Sequence, residues 1–356
     1  MSFKRVFAAM SGGVDSAAAA LLLRRAGYDV TGVTLRLHAY KDRPGLCGSA
    51  DDIETARAVS AAMGIPHQVL DLSGLFRIAV MDRFVEEYVH GRTPNPCIDC
   101  NREIKFGALL DWALEQGADA IATGHYARVR YDEERGRWLL LRGRDRRKDQ
   151  SYVLYQLTQR QLSHLLLPVG DYEKPDIRAL AAEAGLENAE KADSQDICFV
   201  PDGDYVGFLQ RYGGVTPVPG DFVDQEGHVL GRHRGLECYT TGQRKGLGVS
   251  ADAPLYVVRK DLDAGTVVLG PDSALYTDTL TAERVNLISL SALTGPIQVT
   301  AKTRYSQKEA EAIVEPLEGG RVRVTFAQPQ RAVTAGQAVV FYDGEAVVGG
   351  GTICGR

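Results

Sequence analysis

The hexapeptide Ser11-Gly12-Gly13-Val14-Asp15-Ser16 constrains this chain more than any other feature. Before it runs Arg5–Met10 (RVFAAM), which reads as a buried strand. After it runs Ser16–Ala26, Ala/Leu-rich and helical, with Gly27 as its stop. Two glycines let the backbone close on an anion. The helix behind them offers unpaired N–H groups and a positive dipole end, and Ser11 and Ser16 add hydroxyls. Asp15 beside phosphates calls for a bridging Mg²⁺. No GK[ST] segment occurs in the chain, which excludes the common P-loop. A turn that merely needs glycine is the plain alternative. The whole hexapeptide at the first β–α turn favours nucleotide binding over it.

The remaining pattern extends this opening. Asp29–Leu37 is β-branched and strand-like. Ser49–Met63 has a Ser cap, early acids and a following Gly64, which predicts a helix. His67–Leu70, Ala120–Thr123 and Trp138–Leu141 read as further strands. Strands alternating with helices predict a doubly wound parallel sheet over residues 1–157. Over 158–212 the pattern turns helical, with Pro175–Ala184 stopped by Gly185. Residues 213–356 hold 20 of the 38 glycines, between short β-branched runs at Tyr256–Arg259, Thr266–Leu269, Ile297–Lys302, Arg321–Phe326 and Ala338–Tyr342. That texture predicts one or two small barrels or sandwiches, divided as a small β region over 213–275 and an all-β domain over 276–356. The expected fold class is α/β, followed by a small helical central domain and a C-terminal barrel.

Composition narrows the setting. With 44% hydrophobic residues and a formal charge of −5 the chain is globular and not a polybasic nucleic-acid binder on average. The average hides Arg128–Lys148, where nine bases face four acids, a balance of 9 − 4 = +5. This run is expected to contact phosphate. Arg232, His233, Arg234, Arg244 and Lys245 form a second strip. Lys302, Arg304 and Lys308 form a third, with Tyr305 suited to stack on a base. No apolar run is long enough to span a membrane, and Met1–Phe7 lacks a signal-peptide pattern, so a cytoplasmic protein without a membrane partner is expected.

Six cysteines are too few for a disulfide scaffold in a chain this long. Cys47, Cys238 and Cys354 read as fillers. Cys97 and Cys100 form the one C-x-x-C, so a four-ligand zinc site finds little support. Thr93–Asn101, with two prolines, reads as a rigid loop before a helix at Arg102–Gln116. Cys100 then lies near that helix N-terminus, where thiolate is favoured. With Cys198, in DSQDICF (193–199), it fits a redox-active or sulfur-carrying pair.

The hexapeptide resembles the loop of the ATP pyrophosphatase (PP-loop) superfamily. SGGVDS (11–16), TPNP and CN either side of Cys97–Asp99 (93–101), ATGHYAR (122–128), KDQSYVLY (148–155), DSQDICF (193–199), TTGQRKGLG (240–248) and KTRYSQ (302–307) follow in one order over nearly the whole chain. Together they resemble the bacterial tRNA-specific 2-thiouridylase family. That resemblance implies a tRNA substrate (the Lys, Glu and Gln acceptors), with O2 of wobble uridine 34 adenylated by ATP and Mg²⁺. Sulfur from a cysteine persulfide then replaces the adenylated oxygen. It implies Cys100 as nucleophile and Cys198 as persulfide carrier. It implies ATP contacts at Ala9, Met10, Ser11, Gly12, Gly13, Val14, Asp15, Ser16, Leu35 and Gly124. It implies tRNA contacts at Asn95, Pro96, Cys97, Lys148, Asp149, Gln150, Arg304, Tyr305 and Gln337. His125, beside the ATP strand end, is given a site role there over that of a core histidine. The sulfur donor implied is a cysteine desulfurase or a relay protein.

One position departs from the resemblance. Many members carry Asp where Cys97 stands, and Asp99, two residues on, is the candidate to compensate. Cys97, Cys100 and Cys198 also make a candidate ligand set for a [4Fe–4S] cluster, a second route to the same thiolation. A small-molecule PP-loop ligase or amidotransferase and a non-catalytic RNA-binding protein that retained the loop are the remaining alternatives.

Overall fold

The computed structural model describes residues 4–38, 49–186, 188 and 197–355. Cys47 and the first four residues of DSQDICF lie outside them. The first strand, Arg5–Ala9, is central to a parallel sheet. It pairs with Asp29–Arg36 on one side (Val6 opposite Val30) and Ala120–Ala122 on the other (Val6 opposite Ala120). His67–Asp71 extends the sheet beyond Asp29–Arg36. Strand alternation sends Val6 and Ala8 into an apolar cluster with Val14, Ala17 and Val59, and Phe7 into another with Ile104, Leu109 and Ile121. Helices therefore cover both faces. Ser49 caps the helix Ala50–Ala62, accepting from the Asp52 amide at 3.2 Å.

Two sequence expectations change. Trp138–Leu141 is not a strand of the parallel sheet. It lies in Arg137–Arg142, paired antiparallel with Ala127–Asp132. The fifth strand of the parallel sheet is Leu165–Leu166, beside Ala120–Ala122, inside the stretch expected to lack strands. An apolar run of four to six residues looks the same in either setting, and only distant pairing decides between them.

Beyond the helices Lys174–Glu183 and Tyr205–Arg211, four strands (Gly220–Val223, Val229–His233, Tyr256–Asp261, Thr266–Gly270) form a small sheet around Phe222, Val257 and Val267. Then six antiparallel strands close on themselves. Tyr276–Leu287 pairs with both Arg321–Arg331 and Ala346–Gly355, and Ala310–Leu317, Ile297–Lys302 and Ala338–Asp343 complete the circuit.

The hairpin 127–142 attaches to this barrel through Leu141 and Ala346. Its arginines do the rest. Arg142 pairs with Glu309, donates to the Gly344 carbonyl and lies 3.7 Å above the Tyr342 ring. Arg128 and Arg146 both pair with Glu345, and Arg137 donates to the Ile288 carbonyl. The basic run expected to contact phosphate is therefore in large part the seam between the α/β domain and the barrel. Its counter-charges lie more than 160 residues away in sequence, which a local charge balance does not register.

Candidate active site

The glycine loop follows the first strand at the carboxyl edge of the sheet, where doubly wound folds bind ligands. Gly12 has φ +72°, and a Cβ there would meet the Asp52 backbone at 3.0 Å, so only glycine fits. The Ser16 hydroxyl donates to the Gly13 carbonyl at 2.9 Å and accepts from the Ser11 amide at 3.1 Å, closing the loop on itself. Gly13 caps the helix Val14–Arg25 with no side-chain hydrogen bond, which leaves the helix start open to an anion. Gly124 abuts this start. A Cβ on it would lie 2.6 Å from the backbone of Asp15 and Ser16. Leu35 is buried near the end of the neighbouring strand.

Asp15 does not face the loop alone. The Lys174 ammonium lies 2.7 Å from both carboxylate oxygens, and the Tyr126 hydroxyl donates to Oδ1 at 2.8 Å. The Lys174 side chain is only 8% exposed, so the pair is tight and largely desolvated. It cancels a negative charge that would otherwise repel phosphates. Sequence reasoning missed both partners. Tyr126 sits inside ATGHYAR, whereas Lys174 opens a helix 159 residues away, with nothing local to mark it.

The second motif is helical earlier than expected. Asn95 caps, Pro96 is the first helical residue, and Cys97 donates its amide to the Asn95 side chain at 3.2 Å. Pro96–Asp99 runs into Cys100–Ala108, wound at π-helical pitch, and on into Leu109–Glu115. The helix N-terminus therefore acts on exposed Cys97. Cys100 lies a turn further in and is buried, beyond the reach of the dipole's first turn. Cys100 belongs to the apolar cluster of Phe76, Phe84 and Phe199, whose rings meet edge to face, and half-buried Cys198 packs against the same cluster. Both thiols thus border one extended apolar cluster. Cys97, one turn out, faces solvent. Among the described residues no three His, Cys, Asp or Glu side chains converge at metal-ligand spacing. The trio does not fit a cluster site, and no step is derived through one.

Asp99 is likewise not positioned to replace a carboxylate at Cys97. It is 7% exposed, and Oδ1 takes Arg83 at 3.2 Å and Arg102 at 3.3 Å. Burial pushes its carboxyl above the usual range, while Arg83, Arg102 and Arg284 pull it back. Its role is to brace the cysteine helix. Asp99→Asn is expected to cost about 1–3 kcal/mol of stability, leaving two half-buried guanidiniums without their counter-charge. Turnover by the folded protein should stay within a few-fold. Thermal melts and single-turnover rates separate these effects. A rate loss with an unchanged melt would give Asp99 a chemical role instead.

The remaining motif residues divide into two groups. Asp149 accepts from the amides of Gly143 and Ser151, and Gln150 from the Tyr126 amide, so both hold the turn carrying Lys148. His125 is buried against Phe106, bonded to Thr123 at 2.7 Å, and burial holds it well below the usual imidazole range. That is the geometry of a neutral core histidine. Gln337 donates to the Thr93 carbonyl at 2.8 Å, and Thr93 donates to the Ala335 carbonyl, docking the barrel on the cysteine loop. Arg304 donates to the carbonyls of Thr241 and Ala332 and to the Thr334 hydroxyl. Tyr305, by contrast, is 42% exposed, within electrostatic range of Cys97 and Asp149.

Three family models match successive parts of the chain. They are the tRNA methyl transferase HUP domain over residues 4–202, the tRNA methyl transferase PRC-barrel domain over 206–271 and the aminomethyltransferase β-barrel domain over 277–353. Curated relatives align end to end. The tRNA-specific 2-thiouridylase MnmA of Acetivibrio thermocellus is 50% identical over 99% of this chain and 100% of its own. Those of Moorella thermoacetica and Heliobacterium modesticaldum are each 52% identical, over 97% and 98% of this chain and 98% and 92% of theirs. An open phosphate loop on a doubly wound sheet, followed by two β domains, defines an ATP-binding enzyme of the HUP class. Within that class, the chain belongs to the tRNA-specific 2-thiouridylase family, whose members are tRNA-modifying sulfurtransferases. No helix among the described residues is long and apolar enough to cross a membrane.

Proposed function

We propose that this chain thiolates C2 of the wobble uridine 34 in the tRNAs for Lys, Glu and Gln. The observation that carries the reading is that Cys100 and Cys198 border one apolar cluster, in a chain that opens with an uncapped phosphate loop. A uracil carbonyl is a poor electrophile. Its O2 attacks the α-phosphate of ATP and pyrophosphate leaves, turning that oxygen into a leaving group. The terminal sulfur of a Cys198 persulfide then attacks C2, and AMP departs. The Cys100 thiolate attacks Sγ of Cys198, breaking the S–S bond. 2-Thiouridine leaves, a Cys100–Cys198 disulfide forms, and two electrons from an external thiol reset the pair. The apolar cluster excludes water from the adenylated base, which hydrolysis would otherwise return to uridine.

Mg²⁺ belongs to this reading as the counter-ion that ATP brings, held by phosphate oxygens, while Lys174 and Tyr126 engage the Asp15 carboxylate. The target base leaves its stack to reach the cysteines, and Tyr305 offers it or its neighbour a ring. The sulfur donor is a cysteine desulfurase or a relay protein, which must deliver sulfane sulfur to Cys198. The persulfide route stands ahead of the cluster route because Cys97 lies on the solvent side of its helix.

The test uses purified protein, ATP, a persulfide donor and unmodified tRNA carrying uridine 34. Nucleoside mass spectrometry should find 2-thiouridine, with AMP and pyrophosphate formed only when tRNA is present. ATP cleavage that ignores tRNA, or thiolation at another position, would contradict the proposal.

A further inference from the structure

Lys302 ends the barrel strand Ile297–Lys302 and is half-buried. Its ammonium lies 5.9 Å from the ring centroids of both Tyr152 and Tyr305. Those rings meet edge to face at 6.0 Å. Tyr152 is fixed, fully buried with its hydroxyl on the Ala338 carbonyl, while Tyr305 keeps an open face. Among the described residues the Lys302 ammonium makes no hydrogen bond and no ion pair, while its backbone pairs with Val340. The acids around it are already engaged. Asp149 accepts from Gly143 and from Ser151, and Glu309 accepts from Arg142 and from Thr300.

A half-buried ammonium that has lost water and gained ring faces, with its nearby carboxylates bonded to other donors, is incomplete. Burial accordingly pulls it below the usual lysine range, with Arg142 adding to the effect and Asp149 and Glu309 opposing it. An anion arriving over Tyr305 would complete its coordination. Arg304, two residues on, cannot do this without releasing three acceptors that join the middle sheet to the barrel.

We infer that Lys302 seats a phosphodiester of the bound RNA, adjacent to a nucleotide stacked on Tyr305. The inference rests on tRNA being the substrate. The arrangement pairs a backbone contact, which fixes register, with a ring that holds a splayed base. Tyr305 lies near Cys97, so the register fixed here is that of nucleotides next to the target uridine. Arg304, in this arrangement, is a staple between domains.

The experiment titrates unmodified tRNA against the full-length protein over a range of KCl concentrations. Lys302→Met keeps the apolar stem over the rings and removes the charge. It should weaken binding about 3–10-fold at low salt and reduce the slope of log K against log[salt] by about 0.7–0.9, one phosphate contact. Lys302→Arg should keep the wild-type slope. ATP affinity without tRNA, unchanged in both variants, verifies the fold. An unchanged slope in Lys302→Met overturns the inference, even if affinity falls, because Lys302 would then only brace the rings. Failure of the tRNA reading shows elsewhere, as wild-type protein that binds tRNA without salt dependence or not at all.

Discussion

Cys100→Ser should leave tRNA without 2-thiouridine while the protein still loads sulfur. Cys198→Ser should lose both. The two variants separate because the proposed roles differ. Cys198 carries the sulfane sulfur, so wild type and Cys100→Ser should each gain one sulfur on treatment with a persulfide donor, read by intact-protein mass spectrometry. Cys100 resolves the mixed species, so its loss should stop turnover by at least about 10³-fold, the scale seen when a nucleophile is removed. Cys100 is buried, so a hydroxyl in place of its thiol carries a desolvation cost of up to about 1–3 kcal/mol of stability. Cys100→Ala provides the control, losing activity without burying a hydroxyl. Cys97→Asp decides between the two sulfur routes. Cys97 is exposed at the second position of its helix, where a carboxylate is favoured by the dipole. Retained thiolation in Cys97→Asp supports the persulfide route. Abolished thiolation together with lost iron would restore the cluster route.

What the sequence made legible was local. The phosphate loop is set by backbone geometry within six residues, and its glycines have steric reasons that hold in the fold, Gly12 against Asp52 and Gly124 against Asp15. The parallel strands announce themselves by apolar runs between helices. What stayed hidden was paired at a distance. Arg128, Arg142 and Arg146 looked like a phosphate strip because Glu309 and Glu345 lie in another domain. The strand Arg137–Arg142 looked like part of the parallel sheet because its barrel partner begins at Ala346. The two prolines before Cys100 read as a rigid loop, although Pro96 at the first helical position with Asn95 as cap begins a helix. That shift moves the helix end from Cys100 to Cys97. The helix end then no longer accounts for the reactivity of Cys100.

Lys174→Met should produce the second large effect, a loss of ATP affinity on the order of 10²-fold. The reasoning starts from Asp15. Its carboxylate sits in the first turn of the helix whose open N-terminus meets the phosphates, and Lys174 holds both its oxygens at 2.7 Å. Removing the ammonium exposes the phosphates to an uncompensated charge. At ~5 Å and an effective dielectric constant of about 20, that repulsion is about 3 kcal/mol, or roughly 10²-fold. The fold should weaken as well, because Lys174 is buried and bridges the helix Lys174–Glu183 to the loop. Isothermal titration with ATP and a thermal melt read the two effects separately. A double-mutant cycle then identifies the cause. If the pair serves to neutralise charge, Asp15→Asn with Lys174→Met should regain most of the lost affinity, since no bare carboxylate remains. If Asp15 instead ligates the Mg²⁺ of ATP, Asp15→Asn alone should be as damaging as Lys174→Met, the double variant should be worse than either, and raising Mg²⁺ should rescue Lys174→Met but not Asp15→Asn. The geometry favours neutralisation, because two donors, Lys174 and Tyr126, already converge on the Asp15 carboxylate.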